Sequence, residues 1–261
     1  MNNKWLKNKR IQQLIPWVVP VLLIVIWQLL VQVGWLSTRV LPAPTGVVEA
    51  LIKLTMSGEI FRHIGVSTWR AFLGFVVGGG IGLVLGLLNG IFPIAEKLLD
   101  TSVQMLRNIP HLALIPLVIL WFGIGEEAKL FLVALGVMFP IYLNTFHGIR
   151  TVDSGLIEMG KVYGLSPASL FWQIILPGAL PSILVGLRYA LGIMWLTLIV
   201  AETIASDSGI GYMAMNAREF MQTDVVVLSI LIYALLGKLA DTAARVLEEK
   251  WLSWNPNYQA A

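Results

Sequence analysis

The sequence predicts an all-α integral membrane protein with about six transmembrane helices. Of its 261 residues, 57% are hydrophobic and only 13% are charged. With a mean hydropathy of +0.79, the chain has too little polar surface to coat a soluble globule of this size. A helix needs roughly 20 apolar residues to cross a hydrocarbon core of about 30 Å. Runs of about that length cover residues 14–33, 69–92, 99–122, 129–148, 181–203 and 225–247, and we expect them to form one transmembrane domain over 1–261.

The first run is expected to remain in the mature protein. Four basic residues precede it, as in a secretory signal peptide: Lys4, Lys7, Lys9 and Arg10. The run is nevertheless long enough to span a bilayer, and no small-x-small cleavage site follows it. We therefore predict an uncleaved first span.

The segment between the first two runs contains a second candidate helix. Residues 41–45, LPAPT, are expected to be extended because each proline restricts the residue before it. Residues 47–56 could form a short amphipathic helix outside the membrane. A surface linker fits the same residues equally well.

The second run carries a stripe of glycines: Gly74, Gly78, Gly82, Gly86 and Gly90. Glycine every four residues leaves one helix face without side chains, so a neighbouring helix can approach closely. The stripe predicts a packing ridge. A nucleotide-binding interpretation fails because these glycines do not follow the spacing G-x-G-x-x-G.

The third run contains an arginine and two prolines, at positions 110 and 116. The prolines should break or kink the helix, and irregular backbone within a membrane is tolerated where it lines water or is buried in protein. A charge at the bilayer centre costs roughly 2.5–3.5 kcal/mol on insertion scales, so Arg107 should face a cavity, a partner or the interface. Either Arg107, Asn108 and His111 line a translocation path, or Arg107 pairs with Asp100.

The fifth run places Arg188, Trp195 and Glu202 seven residues apart, on one helix face. One interpretation is a stripe that faces the translocation path, to which Arg188 and Trp195 would contribute. In the other, Arg188 and Glu202 lie near opposite interfaces, each paired or extended towards water.

The distribution of positive charge predicts the orientation. With the N-terminus and C-terminus in the cytoplasm, nine Lys and Arg residues lie inside, five outside (Arg39, Lys53, Arg62, Lys129, Arg218) and four within spans. Because cytoplasmic loops are enriched in Lys and Arg, this orientation is favoured. It places residues 149–180 in the cytoplasm and residues 206–222 in an external loop. The nine are Lys4, Lys7, Lys9, Arg10, Lys97, Arg150, Lys161, Arg245 and Lys250.

Residues 158–177 predict two helices separated by a sharp break. Leu156, Met159, Gly160 and Tyr163 recur at helical spacing, whereas Glu158 and Lys161 point elsewhere. A glycine at 164 can take the left-handed conformation that ends a helix. Leu165 then leads into Ser166 and Pro167, an N-cap and a first helical residue that start the second helix.

This segment resembles the cytoplasmic coupling loop of permease subunits in ATP-binding-cassette (ABC) importers. The family pattern is E-A-A, three residues, G, nine residues, then I-x-L-P. Here Glu158, Gly164, Ile174, Leu176 and Pro177 occur at the spacing of this pattern. The departure is Met159-Gly160 in place of the two alanines, which leaves the spacing unchanged.

The resemblance extends over nearly the whole chain. It includes residues 33–38, 104–108, 195–202 and 254–256, and it is to permease subunits of bacterial aliphatic-sulfonate importers, within the nitrate, sulfonate and taurine permease family. This resemblance implies the fold of a type I ABC importer permease in the bacterial cytoplasmic membrane. It also implies two permease copies, two cytoplasmic ATPase subunits and an extracytoplasmic substrate-binding protein as partners. Residues 158–160 and 163–167 would couple the permease to the ATPase.

The sequence also disfavours several other functions. It has no cysteine, which removes thiolate catalysis and cysteine metal sites. The phosphate-binding pattern G-x-x-x-x-G-K-[ST] does not occur, so we expect no nucleotide cofactor and no ATP hydrolysis by this chain. A net charge of +3 is explained by membrane orientation rather than by nucleic acid. Import of taurine or nitrate, or an ATP-independent channel, remain alternatives.

Overall fold

The structure is a computed structural model that describes residues 9–204 and 206–255, with side chains from residue 18 onward. Lys4, Lys7, Pro256 and both chain ends lie outside the described residues. In the described ranges the chain is helical, which confirms the predicted all-α class. The helices are α1 (Lys9–Gln32), α2 (Pro44–Ser57), α3 (Glu59–Ile91), α4 (Pro93–Arg107), α5 (Ile115–Phe122), α6 (Glu126–Arg150), α7 (Ser154–Val162), α8 (Pro167–Leu170), α9 (Leu176–Ile204), α10 (Ile210–Glu219) and α11 (Thr223–Trp251).

Most of the predicted spans correspond to long apolar helices. Four stretches of described helix are long and apolar enough to cross a membrane: Glu59–Ile91, Glu126–Arg150, Pro167–Ile204 and Thr223–Trp251. A bent pair formed by α4 and residues 111–122 makes a fifth. The first predicted span coincides with α1, whose described apolar part, Val18–Gln32, is shorter.

The chain divides into two compact units. One contains the residues up to Arg62 together with Met213–Leu231, and the other contains His63–Tyr212 together with the residues from Ile232 onward. The single domain expected from the sequence stays a prediction.

In the first unit, residues 47–56 form a helix rather than a linker. Pro44 occupies the first turn of α2, where its missing N–H costs nothing, and Gly58 ends the helix at φ +79°. The amide of Gln28 and the hydroxyl of Thr45 lie 3.5 Å apart, and the Thr45 N–H donates to Gln28 Oε1 at 3.3 Å. These bonds connect α1 to α2.

In the second unit, the glycine stripe packs against α6, as predicted. A Cβ at Gly78 would overlap the α6 backbone at Ala134, and one at Gly82 would overlap it at Met138. By contrast, a Cβ at Gly80, which lies off the stripe, would meet nothing within 4 Å. The glycines therefore allow α3 and α6 to approach to backbone contact.

The third predicted span is broken rather than straight. Helix α4 ends at Arg107, a 3-10 turn covers His111–Leu114, and α5 continues in a direction that differs by 79°. Pro110 and Pro116 lie at the starts of the two segments after the break. Proline lacks the N–H that a continuous helix needs, which accounts for the break that the sequence predicts here.

Helices α6 and α9 form the centre of the second unit. Leu132 of α6, Ala201 of α9 and Val118 of α5 belong to one buried apolar cluster. A second cluster joins Phe139 and Tyr142 of α6 to Val103 of α4. The core thus holds both halves of the bent pair against α6.

Helix α9 continues the α8 segment without interruption. The 38 residues of Pro167–Ile204 form one helical stretch, of which Phe171–Ile175 is a π-helix. The Leu176 N–H bonds to the Phe171 carbonyl, five residues back. Pro177 follows, and the wider π-turn gives its ring room next to the preceding carbonyls without breaking the helix. The sequence predicted a separate span that starts near Pro181, so this continuity is a correction.

Candidate functional site

The segment 153–177 forms the predicted helix, break and helix. The Asp153 side chain accepts from the Gly155 N–H at 2.7 Å and caps α7. After α7, Gly164 adopts φ +77°, a conformation that costs little only for glycine. The Ser166 hydroxyl then accepts from the Ser169 N–H at 3.2 Å and caps α8. The break is therefore fixed by local hydrogen bonds and is not a flexible linker.

One face of α7 is apolar and exposed to solvent. Leu156, Met159 and Tyr163 recur at the predicted spacing and are exposed, and Val162 is 86% exposed. Glu158 and Leu165 flank this face, the first exposed and the second half-buried. A contiguous exposed apolar patch on a short helix outside the candidate spans is typical of an interaction surface.

Next to this exposed face, α7 packs onto the start of the α9 stretch through Gly160, which is buried. A Cβ at Gly160 would lie 2.7 Å from the end carbons of both Leu170 and Ile174. An alanine methyl group at this position would therefore displace the ends of these two side chains. This contact connects α7 to the helical stretch that becomes α9.

A cavity of about 360 Å³ lies beside the broken span. Four polar side chains, those of Arg107, His111, Asn144 and Tyr189, contribute to its wall. Apolar side chains from α6 and α9 complete it, among them Phe139 and Ile193. The structure thus brings Arg107 and His111 of the predicted translocation path to one site, whereas Asn108 ends α4 outside the lining.

Arg107 does not pair with Asp100, which rules out the alternative interpretation of the third span. Asp100 instead accepts from the Tyr142 hydroxyl at 2.7 Å and from the Gln104 amide at 3.3 Å. The exposed Arg107 side chain forms no hydrogen bond or ion pair with any residue that the structure describes. The His111 Nε2, by contrast, lies 3.0 Å from the Thr197 hydroxyl.

Arg188 and Trp195 do not share the cavity of Arg107. Arg188 donates to Asp241 at 2.7 Å and lies 3.8 Å from Glu248. Trp195 is buried, and its ring lies edge-on to Tyr233 with the centroids 6.1 Å apart. The paired interpretation of Arg188 is confirmed, and Trp195 packs in the interior.

A buried charge cluster lies at the end of the second unit where α3 and α6 begin and α9 ends. We call it the Arg70 cluster; its members are Ser67, Arg70, Glu126, Glu202, Ser208 and Tyr233. Arg70, which is 2% exposed, donates to both oxygens of Glu126 at 2.5 and 2.6 Å and to Glu202 at 2.9 Å. It also donates to the Ser208 carbonyl at 2.6 Å.

Glu202 is the centre of the Arg70 cluster. It is 1% exposed and accepts from Arg70, from the Ser67 hydroxyl at 2.8 Å, from the Gly211 N–H at 2.9 Å and from the Tyr233 hydroxyl at 2.9 Å. Because burying a carboxylate without partners is very costly, this set of donors is what allows Glu202 to lie in the interior.

The predicted external loop 206–222 is only partly a loop. Residues Ile210–Glu219 form α10, and Ile210 is fully buried. On the exposed side, the Ser208 hydroxyl donates to the Asp207 carboxylate at 2.9 Å, which lowers the pKa of Asp207. Residues 206–209 and 220–222 remain loop, and the Arg70 cluster holds the first of these two stretches in place.

Residues 78–253 match the family described as binding-protein-dependent transport system inner membrane component. The chain belongs to this family. The matched range contains the segment 153–177, the cavity and most of the Arg70 cluster. Together with the long apolar helices, this membership establishes an inner-membrane protein of a transport system.

Relatives within this family align over nearly the whole chain. The putative aliphatic sulfonates transport permease protein SsuC of Escherichia coli (strain K12) is 64% identical over 96% of this chain and 95% of its own length. The protein of the same name from Bacillus subtilis (strain 168) is 48% identical over 92% of this chain and 87% of its own. The taurine transport system permease protein TauC of Escherichia coli (strain K12) is 34% identical over 91% of this chain and 88% of its own length.

Two solved structures of ABC transporters share the fold. A chain from the crystal structure of an amino acid ABC transporter with histidines superposes with a TM-score of 0.64 at 16% identity, covering 77% of this chain and 97% of that chain. A chain of the inward-facing MetNI methionine ABC transporter gives a TM-score of 0.52 at 20% identity, covering 76% of this chain and 98% of that chain. These similarities confirm the predicted fold of an ABC importer permease.

The Arg70 cluster is the feature that the sequence analysis missed. Arg70 was counted only as a charge within a span, and Lys129, which lies 3.0 Å from Glu126, was placed outside. The available signal was that Arg70 and Glu202 are opposite charges in two different apolar runs, since such charges usually pair.

Proposed function

We propose that the chain is the permease subunit of an ATP-driven importer that carries aliphatic sulfonates across the bacterial cytoplasmic membrane. The observation that carries this proposal is the 64% identity to the Escherichia coli relative over almost the full length of both chains. The taurine relative, at 34%, supports the alternative substrate less strongly.

The energy would come from separate ATPase subunits that bind the segment 153–177. The chain itself lacks the phosphate-binding pattern. The exposed apolar face of α7 offers a docking surface. Through the close contact of Gly160 with Leu170 and Ile174, a displacement of α7 would also displace the start of the α9 stretch. ATP can bias a two-state permease only through contacts that differ between the states. A capped, defined element can make such contacts, whereas a flexible linker cannot.

The complete importer would contain a second copy of this chain, so that two permeases form the pathway. Residues 149–180 and both chain ends would face the cytoplasm, as the charge count favours. A substrate-binding protein would deliver the sulfonate from the other side. Exchange between inward and outward access would be a rigid-body transition.

Growth on single sulfur sources tests the substrate. In the bacterium that encodes the chain, deletion of its gene should prevent growth with butanesulfonate or ethanesulfonate as the sulfur source and leave growth on sulfate unchanged. Reintroduction of the gene should restore growth. Loss of growth on taurine alone, or on nitrate as the nitrogen source, would instead assign the importer to that anion.

Co-purification with the ATPase tests the docking surface. Val162→Glu should abolish recovery of the ATPase with the permease while membrane insertion persists, because a charge would replace the most exposed residue of the apolar face. Glu158→Ala and Gly164→Pro should abolish coupled uptake, since proline cannot adopt φ +77°.

Val40→Glu is the matched control, because this valine is 79% exposed in the loop that the charge count places on the opposite face. It should leave ATPase recovery unchanged. Normal uptake by a stably expressed Gly164→Pro variant, or uptake that persists after ATP depletion, would refute the coupling role and favour a channel.

A further inference from the structure

The cavity beside the broken span has a cation that nothing neutralises. None of the residues that line it is a carboxylate. Arg107 has no partner in the described part of the chain, and the nearest candidate, Asp100, is held by Tyr142 and Gln104. Because Arg107 lies at the C-terminal end of α4, it interacts favourably with the helix dipole. That interaction does not explain why the side chain lines a cavity.

The polar groups of the cavity differ in their freedom to bind a ligand. His111 is engaged by the Thr197 hydroxyl, and the Asn144 amide donates to the Pro140 carbonyl at 2.9 Å. The Tyr189 hydroxyl and the Arg107 guanidinium form no hydrogen bond with the described residues. Two hydrogen-bond donors therefore remain, and a guanidinium presents its N–H groups as a planar fork that matches two oxygens of one oxyanion.

The rest of the wall is apolar. Phe139, Pro140 and Leu143 of α6 face Ile193 of α9 around the same space. A volume of about 360 Å³ lies at the small end of the usual range for ligand pockets. Hydrogen-bond donors that can bind an anion, placed next to an apolar wall, fit a small molecule with an anionic head and a hydrocarbon tail.

We propose that this cavity holds an alkanesulfonate during transport, with the sulfonate group on Arg107 and Tyr189 and the alkyl chain against Phe139, Leu143 and Ile193. The proposal rests on the proposed function and goes beyond it, because it assigns substrate selectivity to the permease itself. It also distinguishes between substrates: the ammonium group of taurine finds no carboxylate in the lining and would be desolvated without a partner.

ATP-driven uptake by the complete importer, at saturating substrate, tests the cavity. Methanesulfonate, butanesulfonate and taurine are the probes. Arg107→Gln should lower the uptake of both alkanesulfonates at least tenfold, and Arg107→Lys should restore part of it. Arg245→Gln is the control, because this arginine is also partly exposed but lies outside the cavity; it should leave uptake unchanged. Recovery of the ATPase with each variant checks assembly.

A change in substrate selectivity tests whether the cavity holds the substrate, even if the Arg107→Gln importer fails to assemble. Ile193→Ala should lower the ratio of butanesulfonate to methanesulfonate uptake at least about fourfold, the factor expected if one of the three additional methylenes loses its contact. Ile193→Asp should raise the ratio of taurine to butanesulfonate uptake, because it supplies a carboxylate for the ammonium group. A purely structural role would change all three rates together.

The outcomes separate the two proposals. If the wild-type importer takes up no alkanesulfonate, the proposed function is wrong. If it takes up alkanesulfonates but the Ile193 variants keep the wild-type ratios and Arg107→Gln keeps the wild-type rate, the cavity assignment is overturned and the proposed function stands.

Discussion

Replacement of Glu202 by glutamine should destabilise the protein strongly, because Glu202 is the buried acceptor of the Arg70 cluster. The substitution keeps the shape of the side chain and removes its negative charge. Arg70 would retain Glu126, whose side chain is 53% exposed, but would lose the buried partner. Arg70 would then face a neutral amide, with one acceptor oxygen, where the buried carboxylate of Glu202 now offers two.

The magnitude follows from the hydrogen bonds of the carboxylate. The Glu202 oxygens accept from Arg70 and Ser67 on one side and from Gly211 and Tyr233 on the other. A glutamine offers one acceptor oxygen, so its NH₂ group must face one of these donor pairs. Each unsatisfied buried donor costs about 1–3 kcal/mol, and removal of one partner from a buried ion pair costs about 3–5 kcal/mol. We expect a loss of about 3–5 kcal/mol.

Thermal unfolding in detergent, followed by the fraction that remains monodisperse after heating, measures this loss. At roughly 2–4 °C per kcal/mol for a chain of this size, the midpoint should fall by about 6–20 °C. The control is Glu96→Gln, which removes the same charge from a partly exposed pair with Arg150 at 2.9 Å and should cost about 1 kcal/mol or less. Equal shifts for the two variants would refute the reasoning.

Two further predictions concern glycines. Gly78→Ala should destabilise the protein by about 1–3 kcal/mol because its methyl group would overlap the α6 backbone. Gly80→Ala has open space around it and should be neutral or stabilising. If both variants shifted the thermal unfolding temperature in the same direction, the packing ridge would be contradicted. Gly164→Ala should cost about 1–2 kcal/mol through its left-handed backbone alone and should speed amide exchange in α7, while Gly46→Ala, which lies in α2 with open space around it, should do neither.

Features that depend on residues close together in the chain were predictable. The break at Gly164, the cap at Ser166 and the interruption at Pro110 each follow from the conformational preference of a single residue, and the structure confirms all three. The glycine ridge was equally predictable, because a four-residue period defines a helix face without knowledge of the partner helix.

Features that depend on distant residues were not predictable in the same way. Arg70 meets Glu126 and Glu202, which lie 56 and 132 residues further along the chain, so no local pattern could pair them. The pairing of Asp100 with Tyr142 was missed for the same reason, and Arg107 was left without its expected partner. The continuity of α9 was missed because proline usually ends a helix, and a π-turn is the uncommon way around it.

The continuity of the helical stretch Pro167–Ile204 gives one element contacts at three separate places. Ile174, near its beginning, touches Gly160 of α7; Tyr189 and Ile193 line the cavity; Glu202, near its end, is held by Arg70. From Ile174 to Glu202 the helix extends about 42 Å at 1.5 Å per residue. Under the proposed coupling role, a tilt of α7 would be passed along this stretch to the cavity and to the Arg70 cluster together.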